Sequence, residues 1–234
     1  MDAFKHEASQ KVSGCNRCNG ALDVECECTA KFRFEVEAFE ACIPRAFWYV
    51  SPEDVEFNTR PFNETVLPYA KRLSTAHREG YGLFFHGSNG VGKTMFMSFV
   101  LTRAIRRGKS VYYTTLLQLD HDIKKGFDDR EASVRLDLML TSDFLGFDEM
   151  GKESMDATGK PKFIRGQVER ILKQRFDDSK PVLLATNLSE SHLTQTYGGT
   201  IMSIIKGKYK KVEMEPGDIR GKFKDKMSRE MGFK

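Results

Sequence analysis

The sequence has no long hydrophobic run and does not begin like a secreted protein. Its longest apolar stretches, such as Ala46 to Val50, fall far short of the roughly 20 residues that a transmembrane helix needs. The first residues, MDAFKHEASQ, lack a basic stretch followed by an apolar core, so no signal peptide is predicted. We therefore expect a cytoplasmic protein with no membrane association.

Cysteines are few, and neither sign of charge is in large excess. Five cysteines, an odd number, in a chain without an export signal argue against a disulfide framework. The net charge of +4 is too small to indicate or exclude a nucleic-acid partner. Basic residues do outnumber acidic ones from Lys206 onward, which fits either a solvated end or a surface that faces phosphate.

Strand-like and helix-like segments alternate after Gly80. Five strand-sized runs are rich in β-branched and aromatic residues: Gly82 to His86, Ser110 to Thr115, Asp143 to Asp148, Pro181 to Thr186 and Tyr209 to Met214. Stretches with helical spacing lie between them. This alternation predicts an α/β fold with a mainly parallel sheet. We expect one domain over residues 61–234, preceded by a separate segment over residues 1–60.

A glycine-rich segment stands where the first of these strands gives way to a helix. It reads GSNGVGKT, the complete Walker A pattern, between the run GLFFH and an apolar helical stretch. Glycines let the backbone wrap around a phosphate, and Lys93 would bring positive charge to the β- and γ-phosphates. Thr94 would offer a hydroxyl to Mg²⁺. The predicted ATP-binding residues are Gly87, Ser88, Asn89, Gly90, Val91, Gly92, Lys93 and Thr94.

Two later strands end in polar residues that suit the same site. The segment DFLGFDEM places Asp148 and Glu149 at a strand end, where Asp148 would hold Mg²⁺ and Glu149 would polarise the attacking water. The segment PVLLATN ends in Asn187, whose amide could contact the γ-phosphate or the water. The predicted catalytic residues are Lys93, Glu149 and Asn187.

Four cysteines near the N-terminus form a separate pattern. Cys15, Cys18, Cys26 and Cys28 are spaced C-x₂-C-x₇-C-x-C, and four thiolates match a closed tetrahedral Zn²⁺ site. Four free thiols in an unfolded tail, or a site in which His6 replaces one cysteine, are the alternatives. Cys42 lies outside the cluster and is expected to be a small buried hydrophobic residue.

The motifs together resemble an AAA+ ATPase. The flanking text, FEACIPRAFWYVSPEDVEF, DFLGFDEMGKE and PVLLATNLSESHLTQTYGGTIMS, resembles the DnaC/DnaI helicase-loader family and its relative IstB, from about residue 15 to about 222. The resemblance implies a three-layer P-loop core after a small zinc-knuckle segment, with ATP and Mg²⁺ as cofactors. It implies ATP-dependent loading of a hexameric replicative helicase onto single-stranded DNA, and self-association on that helicase.

Further residues take roles only through this resemblance. Asn187 matches sensor 1, and Arg220, in GDIR, matches the sensor 2 arginine that contacts ATP. Lys124, Lys125 and Phe127 match the element that contacts single-stranded DNA, where an aromatic ring and lysines can hold a strand without reading its sequence. A buried helix-end aromatic is the equal alternative for Phe127.

One position departs from the family pattern. The family usually carries an arginine after the Tyr-Gly helix that reaches into a neighbour's ATP, but Ser203 and Ile204 stand at the matching positions. Lys206 or Lys208 could substitute, although a lysine lacks the planar fork of an arginine. This departure predicts slow intrinsic hydrolysis, with ATP acting as a switch.

Three other functions would use parts of the same pattern. An IstB-type helper of DNA transposition would share the ATPase, and an adaptor that holds nucleotide without turning it over would need no arginine finger. A small-molecule kinase is disfavoured because no arginine-rich lid is evident; Arg165, Arg170 and Arg175 lie on a predicted helix and are expected to be solvated. That helix carries Ile164, Val168, Ile171, Leu172 and Phe176 on its apolar face. The aromatic run Phe47, Trp48 and Tyr49 could anchor a partner or pack on the ATPase core.

Overall fold

The structure is a computed structural model that describes residues 15–18, 26–52, 59–126, 129–151, 162–214 and 231. Its helices are α1 (Glu27–Glu40), α2 (Leu67–Lys71), α3 (Leu73–Glu79), α4 (Lys93–Ile105), α5 (Leu116–Lys125), α6 (Arg130–Thr141), α7 (Lys162–Asp177) and α8 (Glu190–Lys208), the last interrupted at Gly198. Its strands are β1 (Gly82–His86), β2 (Val111–Thr115), β3 (Phe144–Met150), β4 (Val182–Thr186) and β5 (Tyr209–Glu213). In these ranges no helix has the length and apolar character needed to span a bilayer.

The five strands form one parallel sheet in the order β2-β3-β4-β1-β5. Each strand coincides with one of the predicted runs to within two residues at either end. The glycine-rich segment follows β1, which lies in the sheet between β4 and β5. The carboxyl ends of β1, β3 and β4 therefore lie along the same edge of the sheet. Open α/β sheets bind their ligands at this edge.

Alternate residues along the strands pack into two apolar layers, one on each face of the sheet. Phe85 of β1, Tyr113 of β2 and Phe144 of β3 pack with α1 to α4. Their sequence neighbours, such as Tyr112 and Leu145, pack with α5 to α8 on the other face. Helices thus cover both faces, as the buried parallel sheet requires. The predicted three-layer α/β core is confirmed.

The segment before residue 60 contributes to the first of these layers. Phe34 and Ala38 of α1 are buried in it, and so is Trp48, whose indole N–H donates to the Ile43 carbonyl at 2.8 Å. Tyr49 is half exposed, and its hydroxyl donates to a carboxylate of α1. The core is therefore continuous across residue 60, while the division of the chain at that residue stays a prediction. Of the aromatic run, Trp48 is buried in the core and the partly buried Phe47 packs against it.

Arg175 is fully buried, and the prediction that it is solvated is wrong. It lies on the same face of α7 as Val168 and Ile171, so the helix carries it inward. Its guanidinium donates to five acceptors: the carbonyls of Met139, Leu140, Asp143 and Pro181, and the hydroxyl of Ser142. Burial lowers the pKa of Arg175 to about 10. The carbonyls at the end of α6 favour the remaining positive charge there.

Two further expectations about burial are wrong. Phe176 is 38% exposed, because Arg175 rather than Phe176 continues the buried face of α7. Cys42 is exposed instead of buried. It follows the end of α1 in a left-handed conformation, with φ of 59°, which turns the chain back toward the core at Ile43.

Candidate nucleotide and metal sites

The glycine-rich segment forms a loop between the end of β1 and the start of α4. Gly90 and Gly92 have φ values of 84° and 95°, a region that side chains with a Cβ rarely occupy. Val91, between them, is buried and anchors the loop in the core. The loop therefore ends at the N-terminus of a helix 13 residues long, where free backbone N–H groups and the helix dipole favour a phosphate.

Lys93 is the first residue of α4, and its side chain folds back over the loop. Its ammonium donates to the carbonyl oxygens of Gly87 at 2.8 Å and Ser88 at 2.7 Å. These bonds hold the positive charge at the mouth of the loop. A phosphate oxygen there could replace either carbonyl as the acceptor, which suits a lysine that binds β- and γ-phosphates.

Three hydrogen bonds hold the Asp148 carboxylate at the end of β3. Thr94 Oγ1 and the Tyr113 hydroxyl donate to Oδ2 at 2.6 and 3.0 Å, and the Glu149 N–H donates to Oδ1 at 2.7 Å. Only 2% of Asp148 is exposed. A threonine hydroxyl beside a carboxylate presents the oxygen ligands that Mg²⁺ prefers. The residues present therefore fit the predicted metal.

Tyr113 is a site residue that the sequence pattern does not reveal. Burial, and then the charge of Asp148, raise the pKa of its phenol, so the hydroxyl stays protonated and donates to the carboxylate. In the sequence VYYTT it reads as an ordinary apolar strand residue. The signal that identifies it is register, since Tyr113 pairs with Gly146, two residues before Asp148 on β3.

Glu149 lies on an irregular part of β3. Phe147 pairs with Leu184 and Met150 with Thr186, so β3 holds one more residue than β4 across this interval, which is a β-bulge. Glu149 has φ of 58°, a left-handed conformation that costs a residue with a side chain about 1–3 kcal/mol. The bulge breaks the in-and-out alternation and leaves Glu149 partly exposed directly after the buried Asp148.

Asn187 follows β4 and is exposed at the same edge of the sheet. Because β4 lies between β1 and β3, Asn187 stands between the glycine loop and the acidic pair. The buried Thr186 fixes the end of β4, since its hydroxyl donates to the Met150 carbonyl at 2.7 Å and accepts from the Leu188 N–H at 3.1 Å. Arg220 lies outside the described residues.

The two lysines assigned to DNA contact lie at the end of α5. Lys124 and Lys125 are exposed, but each is paired with an acidic residue, Asp120 at 2.5 Å and Asp129 at 3.2 Å. Their charge is thus partly compensated within the chain. Phe127 lies outside the described residues. The structure brings the two lysines together without a described aromatic partner.

The position of the missing arginine is occupied by a core residue. Ile204 is buried among residues of α7, α8 and β4, while Ser203 beside it is exposed. The lysines named as substitutes contact their own chain. Lys206 lies 3.7 Å from the Glu190 carboxylate, and Lys208 donates to the Glu79 carbonyl at 3.0 Å.

Four cysteine sulfurs converge at the start of α1. The Sγ atoms of Cys15, Cys18, Cys26 and Cys28 all lie within 4.8 Å of one another. Neighbouring pairs are 3.2, 3.3 and 3.6 Å apart. Tetrahedral zinc with Zn–S bonds of about 2.3 Å would place its sulfurs about 3.8 Å apart. The four residues therefore fit a zinc ion, whereas His6 lies outside the described residues.

The thiols of this cluster differ in acidity. Hydrogen bonds from the backbone of Cys18 and Arg17 lower the pKa of the Cys15 thiol to about 6. The hydrogen bond with Cys26 raises the pKa of the Cys28 thiol to about 12. The thiolate is the form that binds metal, so the lowered pKa favours metal binding at Cys15, whereas a metal would displace the proton of the Cys28 thiol.

The cluster is joined to the fold that carries the glycine loop through the start of α1. Cys26 precedes α1, and its carbonyl accepts the N–H groups of Thr29 and Ala30 at 3.0 and 3.2 Å. Further along, α1 packs against α4, the helix that begins at Lys93. The described part of the N-terminal segment therefore contacts the helix that carries the start of the nucleotide site.

Comparisons with known proteins agree with this arrangement. A family model described as IstB-like ATP binding protein matches residues 7–205. The replicative helicase loader DnaI of Bacillus subtilis (strain 168) is 24% identical over 116 residues, which are 49% of this chain and 36% of that protein. The chain thus spans about a third of the length of this curated relative.

Solved structures show the same fold. A crystal structure of DnaI has a TM-score of 0.62 at 21% identity and covers 74% of this chain and 94% of that one. A crystal structure of the DnaC helicase loader has a TM-score of 0.60, also at 21% identity, and covers 74% of this chain and 100% of that one. The resemblance that the sequence motifs indicate is confirmed.

Proposed function

Because the chain belongs to the family of IstB-like ATP binding proteins, we propose that it is an ATP-dependent loader of a hexameric replicative helicase onto single-stranded DNA. The observation that carries the proposal is the hydrogen bond between Thr94 and Asp148, which joins the phosphate loop to the acidic end of β3. The named activity of the loader relatives supports a helicase as partner. We place its site of action in the cytoplasm.

Each residue at the carboxyl edge has a distinct role in this proposal. The glycine loop and Lys93 bind the phosphates, and Thr94 and Asp148 hold Mg²⁺, which neutralises phosphate charge when it is bound. Glu149, in the bulge directly after the metal ligand Asp148, accepts a proton from the attacking water. Asn187 orients that water or the γ-phosphate from the neighbouring strand.

ATP acts in this proposal mainly as a switch. Ile204 points into the core, so no arginine from this position reaches a neighbouring subunit. Such an arginine elsewhere contributes about a thousandfold or more to phosphoryl transfer. Hydrolysis by the isolated protein is therefore slow. Self-association on the helicase arranges the ATP sites of the associated subunits. Arg220 completes ATP binding as sensor 2.

Two surfaces outside the nucleotide site are assigned to partners. The four-cysteine cluster holds zinc and presents the N-terminal segment to the helicase or to DNA. Lys124, Lys125 and Phe127 contact single-stranded DNA. Both lysines must then exchange their carboxylate partners for phosphate, so this contact weakens steeply as salt is raised.

The proposal is tested by mixing the purified protein with a replicative helicase ring and a closed single-stranded circle. We expect a stable complex with the helicase and ATP-dependent transfer of the ring onto the circle, both lost in Lys93→Ala. Lys109→Ala is the matched control, because it removes a half-buried lysine that follows the end of α4 opposite to Lys93. Nucleotide binding without any helicase complex would reject the loader function while leaving the ATP site intact.

A transposition helper is the second candidate, because the matching family model is named after IstB. It would remodel duplex DNA together with a transposase instead of binding a helicase ring. Capture of a transposase from the native cell, with no ring helicase, would favour it. A nucleotide-holding adaptor is distinguished from both by Glu149→Gln, which would leave an adaptor fully functional.

A further inference from the structure

Tyr113 reaches the predicted magnesium ligand from the edge of the sheet. Its hydroxyl donates to Asp148 Oδ2 at 3.0 Å, and Thr94 donates to the same oxygen at 2.6 Å. The tyrosine is largely buried, with 8% exposed. The contact is therefore shielded from water, where a hydrogen bond to a charged group contributes more than it does at the surface.

The register of two strands explains this reach. Tyr113 on β2 pairs with Gly146 on β3, so Asp148 is its diagonal neighbour on the same face of the sheet. Gly146 leaves room for the ring. A Cβ at this position would lie 2.7 Å from a methyl carbon of Leu101 and 3.3 Å from Cδ2 of Tyr113. The phenol thus lies along β3 over a residue without a side chain.

The main chain of the same tyrosine is held from the opposite side. Its N–H donates at 2.8 Å to the carbonyl of Ala41, the residue that ends α1. The edge strand β2 is thereby tied to the N-terminal helix at the residue that also touches Asp148. The position of the hydroxyl is consequently set by two independent contacts, one through the backbone and one through the packed ring.

We propose that Tyr113 is a positioning residue that holds Asp148 in the orientation in which it binds Mg²⁺, an inference that rests on the proposed ATPase function. Asp148 must keep one oxygen directed at the metal while Thr94 contributes its own oxygen. With Oδ1 bonded to the Glu149 N–H and Oδ2 to two hydroxyls, the carboxylate cannot rotate freely. Outer partners of this kind typically change metal affinity by about 10- to 100-fold when removed.

The strand supplies a matched pair of variants. Tyr113→Phe removes the hydroxyl that contacts Asp148 and keeps the ring. Tyr112→Phe makes the same change one residue earlier, in a buried tyrosine that packs on the opposite face of the sheet. Binding of a fluorescent ATP analogue is titrated with Mg²⁺, and repeated in excess EDTA to measure nucleotide affinity without metal.

We expect Tyr113→Phe to raise about tenfold the Mg²⁺ concentration at which Mg²⁺ has half of its full effect on binding of the ATP analogue. Affinity in EDTA should stay at the wild-type value, and Tyr112→Phe should match the wild type in both titrations. Wild-type Mg²⁺ dependence in Tyr113→Phe would overturn the inference. Loss of nucleotide binding in EDTA would also overturn it, because the tyrosine would then have a packing role.

A double-mutant comparison tests the same inference without relying on Tyr113→Phe alone. In an Asp148→Asn background, adding Tyr113→Phe should cause no further change in Mg²⁺ dependence, because the hydroxyl acts through that carboxylate. Additive effects would contradict the inference. A wild-type protein that binds no nucleotide would refute the proposed function itself, whereas failure of Tyr113→Phe alone leaves that function standing.

Discussion

The strands of the sheet begin at its amino edge and end at its carboxyl edge. Both edges contain buried polar groups, but these groups have different kinds of partner. At the amino edge, Arg175 donates to five acceptors, and Asp143 binds His77 at 2.8 Å and the Ser110 N–H at 3.0 Å. These partners are fixed by the fold. At the carboxyl edge, Lys93 rests on loop carbonyls, and a glutamate sits in a left-handed bulge.

The difference separates a structural cluster from a functional one. At the amino edge the charge of Arg175 is matched by carbonyls and that of Asp143 by a partner side chain, so a ligand could add little to either. At the carboxyl edge the charged groups have contacts that a phosphate or a metal could replace. We expect substitutions at the amino edge to change stability and those at the carboxyl edge to change activity.

The largest effect on stability is expected from Arg175→Ala. It removes a buried guanidinium that donates to the carbonyls of Met139 in α6 and of Pro181 just before β4, and should lower the free energy of unfolding by about 3 kcal/mol or more. Chemical denaturation measures this. Arg170→Ala, an exposed position on the same helix, should stay within about 0.5 kcal/mol of the wild type. A small effect of Arg175→Ala would contradict the structural role assigned to the amino edge.

Glu149→Gln should give the opposite result. It removes the predicted base and should slow ATP turnover about a hundredfold or more, while the midpoint of thermal unfolding is kept. Steady-state hydrolysis with helicase present measures the rate. Glu131→Gln, which alters an exposed glutamate on α6, serves as the control. Equal turnover in both variants would show that Glu149 has no part in catalysis.

Removing a cysteine should have a more local effect. We expect about one zinc per chain in the wild type and in Cys42→Ser, and little zinc in Cys18→Ser, because a closed site needs all four ligands. Metal analysis of the purified proteins tests this. Nucleotide binding should persist in Cys18→Ser, since the glycine loop does not depend on the cluster. Zinc-free wild-type protein would contradict the assignment.

The smallest expected effect concerns pH at the amino edge. Burial acts to raise the pKa of Asp143, but hydrogen bonds from the Ser110 N–H and from His77 outweigh it and lower the pKa below its usual 3.8. Because the folded pKa lies below the unfolded one, the carboxylate adds stability at neutral pH that is lost as pH falls below about 4.

This loss is measured as the difference in unfolding free energy between the wild type and Asp143→Asn. We expect a gap of about 1 kcal/mol near neutral pH that narrows in acid. Asp137→Asn, on the exposed side of α6, controls for the removal of a charge. A gap that stays constant down to pH 3 would show that the ionised form of Asp143 has no special role.

Much of the architecture was predictable because its signals are local. Strand-length apolar runs and helical spacing predicted all five strands, and GSNGVGKT predicted a loop that the structure places at the start of α4. The burial of Arg175 could have been inferred from its phase with Val168 and Ile171. The residues next to an arginine give no sign of the distant carbonyls that accept its hydrogen bonds. The prediction that Arg175 is solvated was therefore wrong.

Other features depend on contacts between distant segments. The exposure of Cys42 follows from the turn after α1, and the contact of Tyr113 with Asp148 follows from the pairing of β2 with β3. Neither strand carries a motif for this contact. Lys124 and Lys125 lie at the end of α5, and their acidic partners change the local charge that a DNA strand would meet, which the sequence did not reveal.

The sequence alone determined the phosphate loop, the acidic strand end and the four-cysteine spacing, because each depends on residues a few positions apart. The tertiary structure alone decided which oxygen of Asp148 is shared by two hydroxyls, which arginine is enclosed, and how the N-terminal helix meets the edge of the sheet. These depend on strand order and on the packing of residues far apart in the chain, and no short pattern records them.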